Sequence, residues 1–323
     1  MGLHGLASVT IGVPDLDATR AYYTDFGLTP GAQGWLRTTD GGDQLRLVSR
    51  PVRQLAELVV RAAGRDDLGR AAAALSRLGI SSAAAGDELV STEPVIGTRV
   101  VLRISPPLDQ QVVPAVSYNG PGRLGRLGSR APGVLRTGPV RPRRLGHAVL
   151  GTTDLELSQR FFVDGLGFKV SDYIGGQGVF MRCSSEHHNV LVLAAPVNFL
   201  HHTSWQVDDV DEIGRGATHM LEGSPQRHVW GLGRHHAGSN FFWYLKDPAG
   251  NFSEYFADMD CGIDDQLWTP EVFEGHEGLY SWAPAVAAVL PASRRPGRAD
   301  DRIPLQHLRQ PEFRRQTPTC FQA

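Results

Sequence analysis

The chain has 323 residues, which suggests about two domains, and its 32 basic and 34 acidic residues leave a formal charge of −2. With 41% hydrophobic and 20% charged residues, it is excluded from the disordered, coiled-coil and small disulfide-scaffold classes. No apolar run reaches the ~18 residues of a membrane span, and no basic-then-apolar signal opens the sequence. The near-neutral balance gives no long-range pull towards nucleic acid or anionic membrane, so neither is expected as a partner. Three scattered cysteines, Cys183, Cys261 and Cys320, build neither a disulfide framework nor a cysteine zinc site and point to a cytoplasmic protein.

In chain order, the first feature is a repeat. Leu6-Ala-Ser-Val-Thr-Ile11 precedes Pro14-Asp15-Leu16 and then Tyr22-Tyr23-Thr24-Asp25. Leu145-Gly-His-Ala-Val-Leu150 precedes Thr153-Asp154-Leu155 and then Phe161-Phe162-Val163-Asp164, offset by 139 residues. A second pair matches as well. Leu55 leads 11 residues later into Asp66-Asp67-Leu68-Gly69-Arg70, and Leu200 leads at the same distance into Asp211-Glu212-Ile213-Gly214-Arg215.

Each of these four units opens with an apolar strand. An Asp then begins a stretch with helical apolar spacing, and alternating strand-like runs follow. The unit reads βαβββ. The expected fold class is α+β, with two domains of two βαβββ modules, each forming an incomplete barrel around a site. The expected boundaries are a first domain over 1–113, a Gly/Pro/Arg-rich linker over 114–144, a second domain over 145–285 and a flexible tail over 286–323. Gly120-Pro-Gly122-Arg-Leu-Gly125 matches a dinucleotide-loop pattern, which needs a strand before it and a helix after it, but a Pro sits inside it and more Gly and Pro follow, so it is read as linker.

Histidine is unevenly spread: nine of the twelve fall between His147 and His236. Two units begin Leu-x-His, at Leu145-Gly-His147 and Leu200-His-His202. Alternation in a strand puts these two imidazoles at equivalent inner-face positions and selects His202 over His201. In the strand after the turn Asp247-Pro-Ala-Gly-Asn251, Glu254 lies between Phe252 and Phe256. A carboxylate there is costly to bury without a partner, and a metal is one. Two imidazoles and a carboxylate form the facial triad of non-heme Fe(II) oxygenases. Each of the three alone is an ordinary core residue; it is their recurrence in phase that favours a metal site.

With Glu186-His-His188-Asn189, Gly233-Arg-His235, Tyr244 and Asp247-Pro-x-Gly-Asn251-x-x-Glu254 added, the chain resembles the type I extradiol ring-cleavage dioxygenases of the vicinal oxygen chelate (glyoxalase/bleomycin resistance) superfamily, which include dihydroxybiphenyl and trihydroxytoluene oxygenases. The resemblance is strong over 145–260 and weaker before. It implies His147, His202 and Glu254 as metal ligands, His188 as acid–base residue, and His235 and Tyr244 near the substrate hydroxyls. It also implies Fe(II), with Mn(II) as an alternative occupant, a catecholic substrate with O₂, and a homo-oligomer. The first domain reads as a metal-free copy with Ser8, Glu57 and, at an offset of 141, Val113 in the ligand positions.

Two further readings share the fold: a redox-neutral metal isomerase or lyase, active without O₂, and a metal-free binding or resistance protein, which keeps its ligand when the triad is removed. Among the remaining histidines, alternation turns His187, His201 and His236 away from the metal. His219 is assigned to a surface helix and His228 to a surface loop, and His4, His276 and His307 have no partner pattern. Trp205, Phe241, Phe242 and Trp243 are assigned to the core rather than to a substrate box, with the mouth of the pocket as the alternative place for some of them.

Overall fold

In the computed structural model, residues 2–285 are described. The expectation for the tail, together with His307 and Cys320, lies outside the described residues. The four βαβββ modules follow one another along the chain. The first holds β1 (Leu3–Val13), α1 (Leu16–Asp25), β2 (Thr29–Pro30), β3 (Trp35–Thr38) and β4 (Gly42–Ser49). The second holds β5 (Gln54–Ala62), α2 (Arg65–Arg77), β6 (Ser82–Ala85), β7 (Glu88–Thr92) and β8 (Arg99–Ile104). Residues 105–143 carry a single helical turn, α3 (Pro132–Leu135).

The third module holds β9 (Arg144–Thr152), α4 (Leu155–Arg160), β10 (Lys169–Ile174), β11 (Gly178–Arg182) and β12 (Val190–Ala194). In it α4 runs on in wider turns through Phe161–Leu166. The fourth holds β13 (Phe199–Gln206), α5 (Val210–Leu221), β14 (His228–Arg234), β15 (Phe241–Lys246) and β16 (Phe252–Ala257), and β17 (Val272–Phe273) comes after it.

The acidic residues before the helices act as caps. Asp15 accepts from the Ala18 amide, Asp154 from Leu157 and Asp209 from Glu212, each satisfying an amide that has no partner inside the helix. The modules pair into two sheets, β2-β3-β4-β1-β5-β8-β7-β6 and β14-β15-β16-β13-β9-β12-β11-β10-β17. The two orders are the same topology. In each, the opening strands of two modules run antiparallel at the centre and the last strand of each module lies parallel beside its own opener.

The central strands of the second sheet are covered on both faces, and every residue of β9 and β16 is buried. One apolar core runs through both halves, from Leu6 and Tyr22 to Trp205 and Tyr255. Polar contacts cross it at defined points. The Tyr22 hydroxyl lies 2.5 Å from Ser253 Oγ, the Tyr255 hydroxyl donates to the Phe26 carbonyl at 2.6 Å, and the Phe26 and Tyr255 rings stack at 3.9 Å. Because side chains alternate along β16, holding Ser253 and Tyr255 against the first half turns Glu254 to the opposite face.

Candidate active site

The candidate residues occupy six neighbouring chain segments of the second sheet, in spatial order. His235 directly follows β14, Tyr244 lies on β15, Glu254 on β16, His202 on β13, His147 on β9, and His188 on the chain entering β12. The sheet gathers on one face residues spread over more than a hundred positions of sequence.

Local structure holds each in place. Asp247 accepts from the Asn251 backbone amide at 2.8 Å and from its side-chain amide at 3.0 Å, closing the turn that starts β16. Gly250 takes φ +86° in that turn, a region glycine enters without steric cost. Arg53, from the first half, donates to the Leu200 and Gly250 carbonyls at 3.2 and 2.8 Å and to Asn251 Oδ1 at 3.2 Å, tying β13 to the same turn. Asn189 accepts from the Cys183 amide and from Ser184 Oγ and donates to the Gly146 carbonyl, which pins the His188 segment against β9.

His147, His202 and Glu254 each offer a donor atom within 4.8 Å of the others, and all three are buried. Glu254 Oε2 lies 3.0 Å from His147 Nε2 and 3.3 Å from His202 Nε2. Glu254 Oε1 lies 3.3 Å from the amide of Asn240, which donates to it, and 3.7 Å from His235 Nε2. His202 Nε2 makes no hydrogen bond despite its approach to the carboxylate, and His147 Nδ1 is also buried without a partner. An unpaired nitrogen such as His202 Nε2 beside a fully buried carboxylate is costly unless a cation joins the two. Two imidazoles and one carboxylate are a suitable donor set for a divalent first-row metal, so these residues fit the metal that the resemblance implies.

Burial alone raises the pKa of Glu254, but the surrounding His147, His202 and His235 outweigh it and hold the carboxyl well below the usual range. Burial, with the His147 charge adding to it, lowers His202, whose pKa falls to about 4 even against the opposing pull of Glu254. His188 is pushed well down by burial and by its His147 and His187 neighbours. Burial and the Glu254 charge push the Tyr244 phenol well up. Tyr244 lies 3.0 Å from His235 Nε2, and the other ring nitrogen of His235 faces the Leu279 carbonyl. On the same sheet face, Val149, Phe180 and Leu191 form an apolar cluster with Ala237 and Phe273, and the Phe180 ring lies 5.0 Å from that of His188.

Two expectations are corrected, at His228 and in the first half. His187 and His201, read as turned away from the metal, sit beside the candidate residues. Both are buried, with His187 Nδ1 at 3.0 Å from His188 Nδ1 and His201 Nδ1 at 2.7 Å from His202 Nδ1. Alternation fails at His201 because β13 shifts register against β9 between Leu200 and His202, and a bulge breaks the two-residue period. It does not apply at His187, which lies outside any strand. His228 is the exposed first residue of β14, not a loop residue.

The second correction concerns the first half. In the second sheet β13 and β16 pair His202 with Phe252 and Ser204 with Glu254; in the first, β5 and β8 pair Glu57 with Arg99 and Val59 with Val101. The counterpart of Glu254 is therefore Val101. Val113 lies past β8 in a segment without strands, because the β14–β15 hairpin is longer than β6–β7 and the repeat offset grows there. Glu57 itself is paired with Arg99.

Residues 144–255 match the family model of the Glyoxalase/Bleomycin resistance protein/Dioxygenase superfamily. Among curated proteins, metapyrocatechase 2 of Cupriavidus necator is 37% identical over 175 residues, covering 53% of this chain and 54% of that protein. The chain thus spans about half the length of this relative. Biphenyl-2,3-diol 1,2-dioxygenase of Paraburkholderia xenovorans (strain LB400) is 26% identical over 79% of this chain and 88% of its own. Among solved structures, the Mn(II)-bound glyoxalase from Novosphingobium aromaticivorans superposes with a TM-score of 0.72 at 25% identity, covering 91% of this chain and 96% of that one. These matches bear out the resemblance and the fold class read from the sequence.

Proposed function

We propose that this protein is an extradiol dioxygenase that opens the ring of a catechol or related polyphenol with O₂, using a divalent metal held by His147, His202 and Glu254. The observation that carries this reading is a two-histidine, one-carboxylate triad flanked on adjacent segments by His188, His235 and Tyr244. Fe(II) is the metal we assign. Bound there, it would supply a Lewis-acidic, redox-active centre with positions open to substrate and O₂.

The protein side of the chemistry is proton handling. His188 is held neutral by burial and by its histidine neighbours, so it takes a proton from a catechol hydroxyl and returns one when the ring opens. Such a positioned acid–base is worth typically 10²–10⁴-fold in rate. Tyr244 keeps its proton because burial and Glu254 disfavour the phenolate, and it serves as a hydrogen-bond donor to a substrate oxygen. His235 orients it. Val149, Phe180 and Leu191 provide an apolar wall against which a flat ring packs and from which water is excluded.

For the setting, we infer a cytoplasmic homo-oligomer. Cys183 is buried and burial raises its thiol pKa, consistent with a reduced protein, and light scattering tests the oligomer.

The test of function is anaerobic loading with Fe(II) or Mn(II), followed by an oxygen-electrode screen of catechols with the product identified by mass. Consumption of O₂ and a coloured ring-opened acid are expected. A metal-loaded protein that consumes no O₂ with any catechol, hydroquinone or trihydroxybenzene would overturn the proposal. The likeness to a Mn(II)-bound glyoxalase favours a redox-neutral isomerase as the second reading; turnover that persists under strict anaerobiosis would select it.

A further inference from the structure

Behind His188 lies a buried polar chain that ring cleavage, as set out above, does not use. His187 Nε2 lies 2.6 Å from Asp172 Oδ2, and His187 Nδ1 lies 3.0 Å from His188 Nδ1. Asp172 Oδ1 accepts the Glu271 backbone amide at 2.7 Å. Asp172 and His187 are almost wholly excluded from solvent. Asp172 sits on β10, towards the end of the sheet opposite Tyr244, and Glu271 leads into the edge strand β17, which pairs with β10. The Trp268 ring packs edge-on against His187 at 5.7 Å, and its indole N–H donates to the Ser171 carbonyl.

We propose that Asp172 and His187 are positioning residues that fix the tautomer of His188. The inference rests on the assignment of His188 as the acid–base residue. A carboxylate has acceptors only. With Oδ1 taken by the Glu271 amide, Oδ2 receives the His187 Nε2 proton. His187 then presents a lone pair at Nδ1, and the hydrogen bond between the two imidazoles is satisfied only if His188 donates from its own Nδ1. A neutral imidazole carries one proton, so His188 Nε2 is left as an acceptor. That atom has no hydrogen-bond partner among the described residues. The chain therefore delivers His188 as a base, ready to accept a substrate proton at Nε2 without first exchanging one with solvent.

The geometry also specifies how to reverse it. In Asp172→Asn, the oxygen at the Oδ1 position stays bound to the Glu271 amide and an NH₂ faces His187. His187 must then accept at Nε2 and donate from Nδ1. His188 accepts at Nδ1 and carries its proton at Nε2, the wrong nitrogen for a base.

The experiment is ¹⁵N NMR of the histidine side chains in the full chain, metal-free and loaded with Zn(II), for wild type, Asp172→Asn and the milder His187→Gln, with steady-state kinetics on the Fe(II)-loaded proteins. We expect the His188 proton on Nδ1 in wild type and on Nε2 in Asp172→Asn. We expect kcat to fall about 10²–10⁴-fold in Asp172→Asn, with KM and metal content changed less than about threefold. His187→Gln, whose amide can still donate to Asp172 and accept from His188, should retain the Nδ1 tautomer and most of kcat. A wild-type His188 protonated at Nε2, or an Asp172→Asn variant with an unchanged tautomer, would overturn the inference whether or not the protein cleaves catechols. The expected tautomers in a protein without ring-cleaving activity would uphold the relay and defeat the proposed function instead.

Discussion

Asp247 offers a prediction whose sign follows from burial. Its carboxyl sits in the turn before β16, within reach of the Asn251 amides and Arg53, yet burial dominates and pushes its pKa up from 3.8 to about 6. The folded chain therefore holds this proton to higher pH than the unfolded chain does. Stability from this group is fully present below pH 3.8 and is lost as pH rises to about 6. At 1.36 kcal/mol per pH unit, the loss is about 3 kcal/mol.

Asp247→Asn removes the titration while keeping an oxygen for the Asn251 backbone amide. It sets two NH₂ groups against each other at Asn251, a cost that does not vary with pH. Urea unfolding of wild type and variant between pH 4 and pH 7 isolates the effect, since all other groups cancel in the difference. Wild-type stability minus variant stability should be largest near pH 4 and fall by about 3 kcal/mol by pH 7. A difference that stays flat or grows with pH would show that the amides and Arg53 outweigh burial, and the reasoning would fail.

Other substitutions test other parts of the site. His188→Phe should lower kcat by about 10²–10⁴-fold with metal content unchanged by elemental analysis and KM for the catechol nearly so. Tyr255→Phe leaves the buried Phe26 carbonyl without its donor and should cost about 1–2 kcal/mol in urea unfolding. Arg53→Ala removes the tie between β13 and the turn before β16. It should cost about 1–2 kcal/mol and weaken metal binding measured by competition with a chelating dye, because His202 and Glu254 lose their common brace.

The βαβββ period was readable because each module repeats the same order of apolar strand, acidic residues at the helix start and helix, and a repeat at fixed offset survives divergence of its residues. The candidate triad was readable for a related reason. Its histidines open two modules in the same register, and Glu254 sits on a strand whose neighbours are too apolar to tolerate an unpaired carboxylate. What the sequence did not disclose depends on broken regularity. His201 sits at a bulge and His187 in an irregular segment, so strand alternation does not apply, and their contacts with His202 and His188 arise only once the chain is folded. Asp172 meets His187 across a sheet edge closed by β17, a two-residue strand with no pattern of its own. The Val101 counterpart of Glu254 was displaced by a hairpin of different length, which shifts numbering and leaves topology unchanged.

The most direct measurement is a single turnover of the Fe(II)-loaded protein with a catechol under ¹⁸O₂, with the product analysed by mass. Extradiol cleavage at this site predicts one O₂ consumed per catechol and label from the gas in the ring-opened acid, abolished by Glu254→Ala. Product formed without O₂, or without label from it, would contradict the assignment.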